Sequence, residues 1–340
     1  MSFLPTDEQR AFARSLDAML SASDTPAVVR AWAGGDPGPG RVLWGRLAGA
    51  GVFALAVPEA YDGVGPLPVE LAHAFVELGR HAVPGPVVET VAAAALLGEL
   101  ARLGEPGPAK RLLPGLASGE WTATLAIAGT ESERHPVPYA LDADRADAVL
   151  VVRGEELWRA PGHGPVEVSA DPARRLARPA PGGERLAEGP AVAVAAGHAR
   201  RLATLATAAQ SLGVGRALLD RTVAYARQRT QFGTPIGAFQ AVKHRLADTL
   251  LALEFAGPLV FGAAVTSAEG DVAAEGDVAA AKVAAGEAGY AAARTALQIH
   301  GAVGYTEELD LSLWLRKARP LRDAWGDPAA CRAAVLGACS

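Results

Sequence analysis

Two long helix-forming stretches near the C-terminus, joined by a short polar loop, constrain this chain more than any other feature. From Phe239 onward, Val242, Leu246, Leu250 and Leu253 recur at intervals of three and four, the spacing that puts apolar side chains along one helical stripe. Pro258 lies farther on, where a helix is expected to bend. After a loop from Glu269 to Asp277 (EGDVAAEGD), an Ala-rich stretch from Val278 to His300 reads as a second long helix. Upstream, Leu212, Leu219 and Val223 share a face that runs into Tyr225 and Arg227. Long helices joined by short loops bury their stripes against one another as a four-helix bundle, expected over residues 192–340.

The other two zones have different periods. Residues 1–120 read as helices joined by Pro/Gly turns. Thr6 and Gln9 fit a capping box ahead of Phe12, Leu16, Met19 and Leu20. Gly34 to Gly40 (GGDPGPG) reads as a loop, Leu43, Trp44 and Leu47 as the start of a helix that ends near Gly51. Further helices are expected from about Pro68 to Gly79 and Thr90 to Leu103. Residues 121–191 read as a small β domain. Trp121 to Ala128 alternates apolar and polar residues as a half-buried strand does. Ala148 to Val152 is a continuous apolar run, Pro165 to Ser169 a further strand candidate, and the rest of Pro161 to Pro190 reads as loop.

Composition narrows the function. The 340 residues are half hydrophobic, enough for a large core divided among two or three domains. A net charge of −5 with interspersed signs argues against nucleic acid as a partner. The two cysteines, Cys331 and Cys339, lie outside any disulfide or metal spacing, and no metal site is expected. Apolar runs such as Val91 to Leu97 fall short of the ~20 residues that cross a bilayer, and the polar N-terminus does not read as a signal peptide. The expectation is a cytoplasmic protein with no membrane association.

Arg229 stands where a helix gives way to a turn. Alone, it reads as a helix-end cation paired with a nearby acid. Its surroundings, Tyr225-Ala226-x-x-Arg229-x-Gln231-Phe232-Gly233 and then Phe239-Gln240, allow another reading: a forked, permanently charged guanidinium suits a pyrophosphate. Gln298-Ile299-His300-Gly301-Ala302-Val303-Gly304 ends a helix in small residues. That pattern serves as a C-cap, or as a place where backbone amides approach a ligand closely.

Together these two segments resemble the C-terminal signature of the acyl-CoA dehydrogenase family, and Val57-Pro58-Glu59-Ala60-Tyr61-Asp62-Gly63-Val64-Gly65 is similar to an N-terminal loop of the same family. The resemblance covers nearly the whole chain. It implies a mostly α fold: a helical N-domain, a small central β-barrel, here reduced, and a C-terminal four-helix bundle. It also implies FAD as cofactor, with Arg229, Gln231, Phe232, Gly233, Gln240, Gln298, Ile299, His300, Gly301 and Ala302 as the contacts. In the family such residues reach the FAD seated in a neighbouring subunit. The stretch Ile127-Ala128-Gly129-Thr130-Glu131-Ser132-Glu133-Arg134 matches the family's flavin-ring segment poorly.

The family's base is a glutamate that removes the acyl-CoA α-proton while the β-hydrogen leaves as hydride to the flavin. Counting from Arg316-x-Ala318 puts Trp325 in its place, and the alternative base position on an earlier helix falls near Ala203. Neither side chain accepts a proton, so no catalytic residue is assigned. Asp323 and Asp327 are nearby but read as solvated or capping carboxylates. The chain therefore looks like the shortened, base-lacking subunit of actinobacterial heteromeric (α2β2) enzymes acting on steroid side-chain acyl-CoAs. The resemblance then implies a paralogous partner that binds the acyl-CoA and holds the base, and an electron-transfer flavoprotein as acceptor. The alternatives are a homo-oligomeric flavin dehydrogenase, oxidase or monooxygenase, and a structural paralogue without FAD.

Overall fold

The capping box forms at Thr6. Its hydroxyl accepts from the Gln9 backbone N–H at 3.2 Å, and its own N–H donates to Gln9 Oε1 at 2.9 Å. This starts α1 (Asp7–Ser21), whose Leu16 and Leu20 are buried. The computed structural model describes residues 5–128, 138–270 and 273–338. Among these, α2 (Thr25–Ala33), α3 (Gly38–Gly49), α4 (Pro68–Arg80), α5 (Val87–Arg102) and α6 (Pro106–Ala117) precede the strands. The 39-residue α7 (Pro190–Gln228), α8 (Gln240–Glu269), α9 (Ala274–His300), α10 (Leu311–Asp323) and α11 (Pro328–Ala338) follow them. The fold is mostly α with a small central β region, as expected.

The chain divides into two compact units, which do not follow the three sequence zones one to one. The first comprises residues up to Pro26, Ala72–Val83 and everything from Thr204 on. Here α9 is the central helix, packed by α8, α10 and α11. The C-terminal half of α4 crosses α7 almost backbone to backbone: a Cβ at Gly213 would lie 1.9 Å from the Val76 carbonyl oxygen, and one at Gly79 would lie 2.1 Å from that of Gln210. Only glycine allows that approach. Fully buried Trp314 donates its indole N–H to the Arg80 carbonyl at 2.8 Å.

The second unit comprises Ala27–Leu71 and Pro84–Ala203. Its strands are β1 (Ala123–Ile127), β2 (Ala140–Leu141), β3 (Ala148–Arg153), β4 (Glu156–Arg159), β5 (His163–Glu167), β6 (Leu176–Pro179) and β7 (Glu184–Glu188). They form a sheet of order β1-β3-β4-β7 and a second of order β2-β6-β5. β1 and β3 pair in parallel, Ala123 opposite Ala148, and the other pairs are antiparallel. Small side chains from both sheets (Ala126, Ala140, Val149, Val151, Ala177) build one core, with Trp158 and Val166 packed against it.

Several expectations need correction. The strand foreseen at Pro165 to Ser169 forms two residues earlier, as β5, and the stretch read as loop after it also carries β6 and β7. These strands have only four or five residues and are rich in Arg, Glu and Pro, so pairing rather than composition forms them. α2 was not foreseen. Nor was α6, because its prolines look like breakers; Pro106 stands at the first position, where no N–H is required. The loop foreseen over Gly34–Gly40 is shorter, since α3 begins at Gly38. The Glu269–Asp277 loop is shorter too: α8 runs to Glu269 and α9 begins at Ala274.

Of the stripe foreseen on α8, Leu253 is buried and Val242 and Leu246 are half-buried, whereas Phe239 and Leu250 are exposed. The face that is buried runs through Thr249, Leu253, Ala256, Gly257, Val260, Ala263 and Ala264. Its small residues let α8 lie close to α9, which turns Leu250, Leu251, Phe255 and Leu259 outward. By length and composition alone, α8 is the one helix among the described residues apolar enough to cross a membrane. Here it packs along α9.

Candidate functional site

At the end of α7 the chain turns into a two-stranded hairpin of β8 (Thr230–Gln231) and β9 (Thr234–Pro235). The turn residues Phe232 and Gly233 both have positive φ, 53° and 78°, the requirement of a type I′ hairpin turn. Gly233 meets it freely, whereas Phe232 holds a bulky side chain in a strained left-handed conformation. The Phe232 ring is 96% exposed and meets the Phe239 ring edge-on at 6.5 Å. Arg229 makes backbone bonds to Tyr225 and Ile236, and Arg229, Gln231, Gly233 and Gln240 are all exposed.

The second segment lies against the first. Tyr225, one turn before Arg229, stacks on His300 with ring centroids 4.0 Å apart. This contact joins the end of α7 to the end of α9, bringing together two motifs about seventy residues apart in sequence. His300 is buried and its Nδ1 bonds to the Ala296 carbonyl at 2.8 Å. Burial holds its pKa below the ordinary value. The ring packs between the Tyr225 ring and its own helix. Ile299 is half-buried, and Gln298, Gly301 and Ala302 are exposed. Gly301 (φ 64°, ψ −141°) opens the terminal turn in a conformation that side chains disfavour.

Beside this turn is a cavity of about 290 Å³ lined by Arg245, Arg294, Leu297, Gln298, Gly301 and Tyr305. Sequence reasoning missed both arginines and Tyr305. A signal for Arg294 was present: it stands four residues before Gln298, on the same helical face. No carboxylate lines the cavity. Together with the exposed guanidinium of Arg229, this donor set suits a phosphate-bearing dinucleotide such as FAD.

Trp325 is held from α7, where Thr204 Oγ1 donates to its carbonyl at 2.7 Å. Trp325 itself has φ 55° and is half-buried. Its segment is pinned from α9 by Lys282, which is buried to 2% exposure and donates to the carbonyls of Arg322 (2.7 Å) and Gly326 (2.9 Å). Burial pushes the Lys282 pKa down to about 8. Asp327 accepts from Ala329 and Ala330 N–H at the start of α11, and Asp323 pairs with Arg319 and Arg322. Both acids are thus engaged locally. Residues 129–134 of the flavin-ring segment, and Cys339, lie outside the described residues.

Arg245 and Arg294 line one cavity beside the glycine turn that follows α9. Comparison with known proteins defines the class of protein. Residues 188–332 match the acyl-CoA dehydrogenase C-terminal domain and residues 6–120 its N-terminal domain. The chain is 32% identical to acyl-CoA dehydrogenase IpdE2 of Mycobacterium tuberculosis, over 92% of each chain. It is 33% identical to acyl-CoA dehydrogenase FadE34 of the same organism, over 82% of this chain and 39% of that one. The ChsE4-ChsE5 complex from Mycobacterium tuberculosis has a similar structure, with 26% identity and a TM-score of 0.80 over 99% of this chain and 98% of that one. The chain belongs to the acyl-CoA dehydrogenase family.

Proposed function

We propose that this chain is one subunit of a heteromeric, FAD-dependent acyl-CoA dehydrogenase, in which it closes over the adenosine-diphosphate end of FAD while a paralogous partner supplies the catalytic glutamate. The observation that carries this reading is the Tyr225–His300 stack, which sets the Arg229 hairpin beside the Gln298–Gly301 turn. Exposed Arg229, Gln231, Phe232, Gly233, Gln240, Gln298, Gly301 and Ala302 then face outward, toward a cofactor held mainly by another chain. FAD, when bound, accepts the hydride from the acyl β-carbon. The base for the α-proton has no counterpart at Trp325.

Further support comes from unpartnered apolar surface. Phe255 is 75% exposed, with Leu250, Leu251 and Leu259 beside it on α8, and such contiguous patches mark interaction sites. The similarity to one chain of the ChsE4-ChsE5 complex agrees with a two-chain assembly. We assign residues 192–340 to cofactor contact, and keep residues 1–120 and 121–191 as the helical and β domains. The substrate is a bulky acyl-CoA of the steroid side-chain type, bound mainly by the partner in the cytoplasm, with an electron-transfer flavoprotein as acceptor.

The test is co-expression with paralogous acyl-CoA dehydrogenase chains of the same genome, followed by anaerobic mixing of any assembly with acyl-CoA. The assembly should be yellow and should bleach, while the isolated chain with added FAD should not, because losing a general base costs a factor of ~10² to 10⁴. Rapid bleaching by the isolated chain would establish a homo-oligomeric enzyme instead. A chain that stays outside any flavin complex would establish a structural paralogue.

A further inference from the structure

We propose that Arg245 and Arg294 form a second cationic clamp, distinct from Arg229, that recognises an adenosine phosphate at the cavity between α8 and α9. This deepens the FAD reading above and rests on it. Arg245 and Arg294 line one cavity with Leu297, Gln298, Gly301 and Tyr305. Neither pairs with a carboxylate among the described residues. Pairing is common elsewhere in the same unit: Arg80 with Asp220, Arg316 with Glu307, Arg319 with Asp323 and Arg332 with Glu287. Two like charges around a carboxylate-free cavity repel each other unless an anion enters.

Helix-dipole neutralisation does not account for their positions. A cation is favoured only in the last turn of a helix, and Arg294 lies six residues before the end of α9. Arg245 lies in the second turn of α8, nearer the end where an anion is favoured. The remaining lining supplies what a nucleobase needs. The Tyr305 ring is 74% exposed and offers a stacking face. Leu297 gives an apolar wall, and the Gln298 amide can donate and accept. A cavity of about 290 Å³ is at the lower edge of the ~300–1,000 Å³ range of ligand pockets, which suits a nucleotide half better than a whole dinucleotide. FAD and coenzyme A both carry an adenosine phosphate. We assign the clamp to FAD, because Gln298 and Gly301 belong to the segment joined to Arg229 through Tyr225 and His300.

The experiment uses the flavin-loaded assembly in which this chain co-purifies, carrying Arg245→Ala, Arg294→Ala or both, with Arg229→Ala as reference. The FAD dissociation constant is read from released-flavin fluorescence, and coenzyme A binding from calorimetry. Each single change should raise the FAD dissociation constant about 10-fold, the lower end for a charge-assisted bond, and leave coenzyme A affinity unchanged. If the double variant binds FAD normally while Arg229→Ala weakens it, the clamp is refuted and the FAD reading stands. If neither weakens it, the FAD reading itself fails. Loss of coenzyme A affinity alone would move the clamp to the substrate and overturn the assignment. Arg245→Gln and Arg294→Gln, which keep the packing stem, decide the matter if the alanine variants fail to assemble.

Discussion

Asp142 is fully buried and accepts from the Trp32 indole N–H at 3.0 Å and the Arg175 backbone N–H at 3.4 Å, while its Oδ2 has no hydrogen-bond partner. Burial pushes its pKa up from 3.8 to about 7. In the other unit, burial raises Glu77, beside Arg80 and Asp17, from 4.5 to about 7. A carboxyl whose folded-state pKa is raised holds its proton more tightly in the folded state. Its stabilising contribution is complete below the unfolded value, near pH 4, and is lost as pH rises through about 7. Each group contributes a slope of at most about 1.4 kcal/mol per pH unit. Asp142→Asn should therefore flatten, though not abolish, the fall in melting temperature between pH 4.5 and 7.5, leaving the share due to Glu77. An unchanged slope would mean that Asp142 is not the protonated group. None of this could be read from sequence, because Trp32 and Asp142 stand 110 positions apart. By contrast, the turn at Arg229 was legible because the residues that form it, Gln231 to Gly233, are its neighbours in the chain.

The hairpin shows what local pattern can and cannot reveal. Phe232-Gly233 has the turn glycine in the expected place, but only the structure shows that Phe232 shares the left-handed conformation. Phe232→Asn should relieve that strain and stabilise the isolated chain by about 0.5–1 kcal/mol, seen as a higher melting temperature, while lowering FAD occupancy in the assembly. A variant that gains stability and keeps full occupancy would show that the ring has no role at the interface. On α8 the three-and-four spacing identified the helix and part of its buried face, Leu253 with half-buried Val242 and Leu246, but wrongly included Leu250. Large apolar side chains are the usual markers of a core, and here close packing is made by Ala256, Gly257, Ala263 and Ala264. β6 and β7 were missed because four- or five-residue strands carry too little alternation to register above their Arg, Pro and Glu content.

At the scale of the whole molecule, three features support the proposal of half a composite site. The proposed contact residues are exposed at the ends of α7 and α9. Trp325 occupies the counted base position, held by Thr204 and Lys282. An apolar row on α8 lacks a cover within its own unit. The family and its helical bundle were legible in sequence because two short motifs keep their spacing. The arginine-lined cavity was not, because Arg245 and Arg294 meet only when α8 packs on α9. Quantifying flavin against protein mass in the purified assembly tests the composite site most directly. The account predicts one FAD per heterodimer, two in an α2β2 tetramer, with none retained by this chain alone. One FAD per polypeptide, or a catalytically competent assembly of this chain by itself, would contradict it.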